Sequence, residues 1–454
     1  MTSVADPPPS TSPIGLPAKE SLDSLEGLPE PSPGPKIHFW FGVITLIYAF
    51  DFADRFLVSA ILPFLKTEFR LSDAQSGWLG GIVYLGLALF AIPSGALVDR
   101  WSRKGMITIM TTLWSLATWS AGFARSFPVL LAARLTVGVG EAGYNPAGYA
   151  LIAAWYPRRL RGFMVGLFNV AQPVGAGLGI ALAGYIAQHY GWRHVFGILA
   201  IPGFVLALLI LWAPDYRTRR RDLGSVEVRP TFGEAIAYLR RNKTLLLILA
   251  AQLPVAFYTI SWGVWAPTFF VRTFHISLSQ GGAAVLVSVA VAGFGPPVGG
   301  WIGDRLVLER STGRLLSALA FLAFLLVLHL VLFLGSGRWF PYSAAVAIAA
   351  IAQFFMAAHW GSLVSASLDL TPPQFRGTCQ SFLPLAQGIV AFWAAALTGL
   401  FSDHLGLRSA MVISLSIGVG AALALVLWAT RSYDADDRKR RELGAFEIEP
   451  GQGV

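Results

Sequence analysis

Apolar residues in this chain do not alternate with polar ones. They run in blocks long enough to cross about 30 Å of hydrocarbon at 1.5 Å per residue, separated by short stretches that gather Arg and Lys. The blocks predict twelve membrane helices: residues 37–64, 74–98, 104–124, 127–156, 160–188 and 192–213, then 244–273, 278–302, 313–335, 340–369, 376–402 and 408–430. Ahead of them, residues 1–36 are rich in Pro, Ser and Gly and have no apolar core, so a disordered leader is expected there. It has neither the basic start nor the apolar run of a secretory signal. The longest loop, 214–243, holds Arg217, Arg219, Arg220, Arg221, Arg229, Arg240 and Arg241, and its segment 232–239 has the spacing of a short amphipathic surface helix. A tail, 431–454, carries Arg438, Lys439, Arg440 and Arg441.

The two groups of six blocks are copies of one another. Gly95-Ala-Leu-Val-Asp99-Arg100-Trp-Ser-Arg103-Lys104 reappears in the second half as Gly299-Gly-Trp-Ile-Gly303-Asp304-Arg305, with Arg310 and Arg314 following. Arg161, Gly162, Ala171, Gln172, Gly184, Gly191 and Arg193 recur at Arg376, Gly377, Ala386, Gln387, Gly399, Gly406 and Arg408, every one displaced by the same interval. The expected fold is therefore an all-α integral membrane protein of two pseudo-symmetric six-helix lobes, 37–213 and 244–430, with a site between them.

Composition agrees. At 55% hydrophobic and 13% charged residues, a soluble fold of 454 residues would expose more apolar surface than water tolerates. The formal charge of +9 sits mostly in short loops, the pattern that orients membrane proteins rather than one that binds nucleic acid. Cations crowd the loops after blocks 2, 4 and 8, the interlobe loop and the tail, which predicts an inner-membrane protein with both termini cytoplasmic. Cys379 is the single cysteine, so no disulfide framework or thiol metal cluster is expected. No metal, nucleotide or acyl-transfer motif stands in a usable context, so neither a cofactor nor an enzyme activity is expected.

Five ionisable side chains fall well inside the spans, all in the first half: Asp51, Asp54 and Arg55 in block 1, Arg134 and Glu141 in block 4. Charges in lipid are costly and face a bundle interior or a water-filled cavity. Arg134 and Glu141, seven apart, share a helix face, as do Asp51 and Arg55, four apart. A buried carboxylate is harder to ionise and a nearby guanidinium makes it easier, so such a pair can trade a proton against a bound anion. Glu141, Asp54 and Asp51 are thus candidates for proton coupling, and Arg55 and Arg134 for the anion, since Arg keeps its charge and presents a planar fork. A packing ion pair without transport work is the alternative.

The loop from Gly95 to Lys104 resembles, almost position for position, the hallmark loop of the major facilitator superfamily. The resemblance covers all twelve blocks and implies a transporter working by alternating access, functional as a monomer. It also implies a cytoplasmic gate formed by Gly95, Asp99, Arg100, Arg103, Lys104, Asp304, Arg305 and Arg376. Ala53-Asp54-Arg55-Phe-Leu-Val-Ser59 and Gly138-Val-Gly140-Glu141-Ala-Gly143-Tyr144-Asn145-Pro146-Ala147 resemble the spinster branch, which is associated with lysophospholipids and sphingosine phosphate. The Asp-Arg pair and Glu141 are also similar to organic anion symporters that carry sugar acids, and block 5 loosely resembles drug:proton antiporters. Tyr144 and Asn145 join the expected binding residues through the spinster likeness.

The second half offers Tyr258, Trp262, Trp265, His359 and Trp360 but no intramembrane Arg or Lys. A charged half facing an aromatic half fits an amphipathic anion, with its head at Arg55 and Arg134 and its tail against those residues. Aromatic stripes that merely pack are the competing reading.

Overall fold

The computed structural model describes residues 34–100, 102–214, 232–371 and 376–445. Most of the predicted leader, residues 215–231 of the long loop and the end of the tail lie outside the described residues. The first lobe is built from α1 (Pro35–Phe69), α2 (Asp73–Arg100), α3 (Arg103–Ala121), α4 (Phe127–Glu141), α5 (Tyr144–Trp155), α6 (Arg158–Tyr190) and α7 (Trp192–Leu209). The surface helix α8 (Phe232–Arg241) leads into the second lobe. That lobe holds α9 (Lys243–Phe274), α10 (Leu278–Ala292), α11 (Gly295–Glu309), α12 (Gly313–Gly335), α13 (Tyr342–Asp369), α14 (Arg376–Leu405), α15 (Leu407–Leu415) and α16 (Ala421–Ala445). Three crossings are interrupted: α4 and α5 form one span, α10 and α11 another, and a π-helical turn at Ser416–Gly420 joins α15 to α16.

Nine spans among the described residues are long and apolar enough to cross a membrane on length and composition. The other three are α1, α3 and the α4–α5 pair. α1 carries Asp51, Asp54 and Arg55 within its length, and α4 and α5 are pieces of 15 and 12 residues.

Duplication is visible in the backbone. α1 ends on Arg70 at φ 51°, and α9, which opens the second lobe, ends on His275 at φ 53°. Gly191 at φ 88° and its repeat partner Gly406 at φ 78° make the sharp joins α6–α7 and α14–α15. Both are left-handed positions where glycine carries no β-carbon penalty, which explains why this glycine recurs.

Helices approach closely where glycine faces backbone, as expected where packing rather than water exclusion drives association. A β-carbon on Gly138 (α4) would stand 2.0 Å from the Val83 carbonyl oxygen, and one on Gly175 (α6) 2.0 Å from that of Ala49. The lobes meet along two such seams. One runs between α2 and α14, from Asp73 against Gly399 to Ala88 against Gly388. The other runs between α6 and α10, from Gly184 against Leu278 to Gly177 against Leu286. The hydrogen bonds described between the lobes gather at the Asp73 end. Among the described residues these seams stop at Ala88 against Gly388 and Leu286 against Gly177, short of the end where α1 begins, and Gly166 there has open space beside it. The cleft is shut at the Asp73 end and opens at the other.

Candidate functional site

All five intramembrane charges meet at the closed apex of the cleft; Asp51 and Arg55 pair as their spacing predicts, whereas Arg134 and Glu141 each pair with α1 and not with one another. Arg55 Nη2 stands 2.8 Å from Asp51 Oδ2 and 2.9 Å from Glu141 Oε2, and Arg55 Nε donates to Glu141 at 3.0 Å. Arg134 pairs with Asp54 instead, at 3.3 Å. A shared helix face makes Arg134 and Glu141 neighbours along α4. Both nevertheless reach across to α1, so the ion pairs of α4 form between helices, while Asp51–Arg55 forms along α1.

The two arginines do different work. Arg134 is wholly buried, and its Nη2 donates to the carbonyl oxygens of Asp54 at 2.9 Å and Arg55 at 3.3 Å. It straps α4 to the middle of α1 and, although expected as an anion ligand, does not reach the cleft in this structure. Asp54 is equally committed, because its second oxygen accepts from Thr118 at 2.7 Å. Arg55 keeps 10% of its side chain exposed and lies 4.3 Å over the Phe52 ring, with Tyr84 at 5.8 Å. Asp51 Oδ1 and Glu141 Oε1 are buried without a hydrogen-bond partner. Thr118, Phe52 and Tyr84 were not among the expected site residues; ordinary in type, they are brought in only by the helix packing.

Below this cluster, toward the open end, a neutral polar wall lines the first lobe. Gln172 donates to the Tyr48 hydroxyl and, at 3.4 Å, to Asn169; Tyr149 donates to Asn169 at 2.8 Å. Tyr144, expected to touch substrate, is instead a buried strut whose hydroxyl bonds the Ile44 carbonyl while its ring packs on Tyr48, Trp114 and Phe168. Asn145 is partly exposed, with a buried, unpartnered Oδ1.

The aromatic residues of the second lobe expected to meet a substrate tail are mostly packed in its core in this structure. Tyr258 and Trp262 pack on His329 of α12 at 5.3 and 4.8 Å between centroids, and Trp265 donates to the Ala395 carbonyl at 3.2 Å. His359 is buried as well; Trp360 alone is exposed, at 39%. Their helical spacing is the spacing of a packed face. A different apolar space exists: a cavity of about 350 Å³ at the open end, lined by Leu239, Arg240, Leu246, Leu249, Ala250, Leu253, Leu383 and Ala386.

Of the expected gate, the side chains of Asp99, Arg100, Arg103 and Arg376, and the surroundings of Gly95, lie outside what the structure describes. Lys104 reaches the carbonyls of Leu211 and Ala213 within the first lobe, at 3.2 and 3.3 Å. Asp304 pairs with Arg314 at 2.8 Å, Arg314 also binds Asp369, and Arg305 lies over Trp301. Both ends of these contacts lie in one lobe, so among the described residues the second copy of the loop makes no bridge to the first lobe.

The family model of the Major Facilitator Superfamily matches residues 44–368. The chain belongs to that superfamily. It is a multi-pass membrane transporter, not an enzyme. It is 25% identical over 439 residues to Protein spinster homolog 3 of Danio rerio, covering 88% of this chain and 86% of that one. To the hexuronate transporter of Bacillus subtilis it is 24% identical over 388 residues, covering 83% and 90%. The crystal structure of a bacterial homolog to the human lysosomal transporter spinster, inward-facing and occupied, superposes with a TM-score of 0.75 at 24% identity. That match covers 89% of this chain and 99% of the other, and shows the shared fold.

Proposed function

We propose that this transporter is proton-coupled and moves an amphipathic anion of the lysophospholipid or sphingosine-phosphate type across the inner membrane, with both termini cytoplasmic. The observation that carries the substrate class is the leucine-lined cavity between α8, α9 and α14, with Arg240 as its single charge: it suits a hydrocarbon chain. With all five apex groups ionised, three carboxylates face two guanidiniums. An arriving anion adds to that negative excess, so accepting a proton together with the anion lowers the cost of binding. Glu141 and Asp51 suit the proton better than Asp54, because each keeps an unpartnered oxygen and both touch one nitrogen of Arg55. Arg55, which unlike Arg134 keeps some of its side chain exposed, suits the anion.

A sugar acid is the second reading, favoured by the neutral amides of Asn169 and Gln172, which match hydroxyl groups. Uptake into proteoliposomes under an imposed pH gradient separates the two. Lysolipid flux that rises with the gradient supports the first; selective flux of a short sugar acid overturns it in favour of the second.

A further inference from the structure

The two seams at the closed end are copies of each other in backbone and opposites in charge. In both, the entering helix starts with a Ser-x-x-Gln capping box. Ser72 Oγ accepts from Gln75 N at 3.1 Å while Gln75 Oε1 accepts from Ser72 N at 3.0 Å, and Ser277 with Gln280 repeats this at the start of α10. In both, the next carbonyl lies against a glycine of the other lobe: Asp73 against Gly399, Leu278 against Gly184. In both, the residue four further along the glycine's helix reaches the same helix start. On α6 that residue is Gln188, which makes one neutral contact, accepting from Ser279 Oγ at 3.2 Å.

On α14 the matching residue is Asp403, and the contact changes in kind. Its carboxylate accepts from the backbone nitrogens of Asp73 at 2.7 Å and Ala74 at 2.9 Å, capping the positive end of α2 from the other lobe. Asp73 itself, 3% exposed, takes both Nη atoms of Arg272 at 2.8 Å and the Ser402 hydroxyl at 2.6 Å, all from the second lobe. Lys66, from its own lobe, reaches the same carboxylate. Such charge-assisted and bidentate bonds are about twice as strong as neutral ones.

We infer that Asp73 and Asp403 form an ionic lock holding this end of the cleft shut, and that the α6–α10 seam, its neutral copy, closes and parts without one. The α2–α14 seam then sets how long the closed end persists, and the other follows. The lock is far from the apex charges and does not depend on what is transported.

Spin labels at exposed Phe123 and Trp339, on the outer flanks of the two lobes at this end, report its opening in the full chain in lipid nanodiscs with Cys379→Ser. The expected result is one short distance in the parent. Asp73→Asn raises the long-distance population relative to the short one by about tenfold or more. Asp403→Gln, which installs the residue that the other seam already tolerates, raises it by a smaller but clear factor. Gln188→Ala leaves it within about twofold. Because Asp403→Gln copies a native arrangement, it decides the matter even if Asp73→Asn fails to fold. An unchanged distance distribution in Asp403→Gln, or an equal opening in Gln188→Ala, overturns the lock.

Discussion

A β-carbon on Gly77 would stand 2.1 Å from the Ala395 carbonyl oxygen across the α2–α14 seam, where a carbon and an oxygen in contact need about 3.3 Å. Gly77→Ala therefore forces the two helices apart by roughly 1 Å, and overpacking of that size costs about 1–3 kcal/mol. The helices belong to different lobes, so the cost falls only on the state in which this end is shut. Once the seam parts, the methyl group meets nothing. The closed-to-open ratio should fall by about 5- to 150-fold. Gly138→Ala is the control, because its β-carbon would stand 2.0 Å from the Val83 carbonyl oxygen. Both helices there belong to the first lobe and move together, so the same clash lowers thermal stability and leaves the ratio alone. A cysteine at Val264, buried under Gly80 just inside the seam, reads the ratio through its rate of labelling by a membrane-impermeant thiol reagent. Unchanged labelling in a normally expressed Gly77→Ala protein, or faster labelling in Gly138→Ala, would refute the idea that this seam opens as the lobes part.

Arg134→Ala should cost about 3–5 kcal/mol of stability, read as reduced yield and earlier thermal unfolding, because it strands the Asp54 carboxylate and two main-chain carbonyls. Arg55→Lys should leave unfolding nearly unchanged yet weaken anion binding, since an ammonium cannot reproduce the fork; equal loss of stability in both variants would contradict the division of labour. Glu141→Gln and Asp51→Asn should retain substrate exchange and lose acceleration by a pH gradient, measured in proteoliposomes, whereas Asp54→Asn should mainly affect folding. For the cavity, each methylene removed from the ligand tail should weaken binding by about 0.8 kcal/mol, and Leu249→Asp should abolish that dependence; affinity indifferent to chain length in the unaltered protein would count against a lipid-like cargo.

What was legible in the sequence was whatever repeats or is costly. Apolar blocks of membrane length, and charges placed where lipid forbids them, announce themselves because few structures tolerate either; hence the helix order, the pseudo-symmetry and the five apex residues. Gly191, Gly406 and Gly399 stood out for the same reason, since a positive φ or a backbone lying against the residue excludes other side chains. Pairing was not legible. Spacing along α4 makes Arg134 and Glu141 neighbours, but which of them meets Asp54 depends on how α4 turns against α1, and no residue spacing encodes that rotation. Nor does spacing tell a packed aromatic face from a cleft-facing one: Trp262, read as a substrate contact, packs on His329 in this structure. Asp73 and Asp403 were missed for a third reason. They lie at helix ends, where acidic residues are common and inexpensive, and each gains its meaning only from a partner far away in the chain, in the other lobe. Duplication supplies the missing signal. Aligning the halves on their own repeat sets Asp403 opposite Gln188 and Asp73 opposite Leu278, and two copies of one seam that differ in charge are two copies with different work to do.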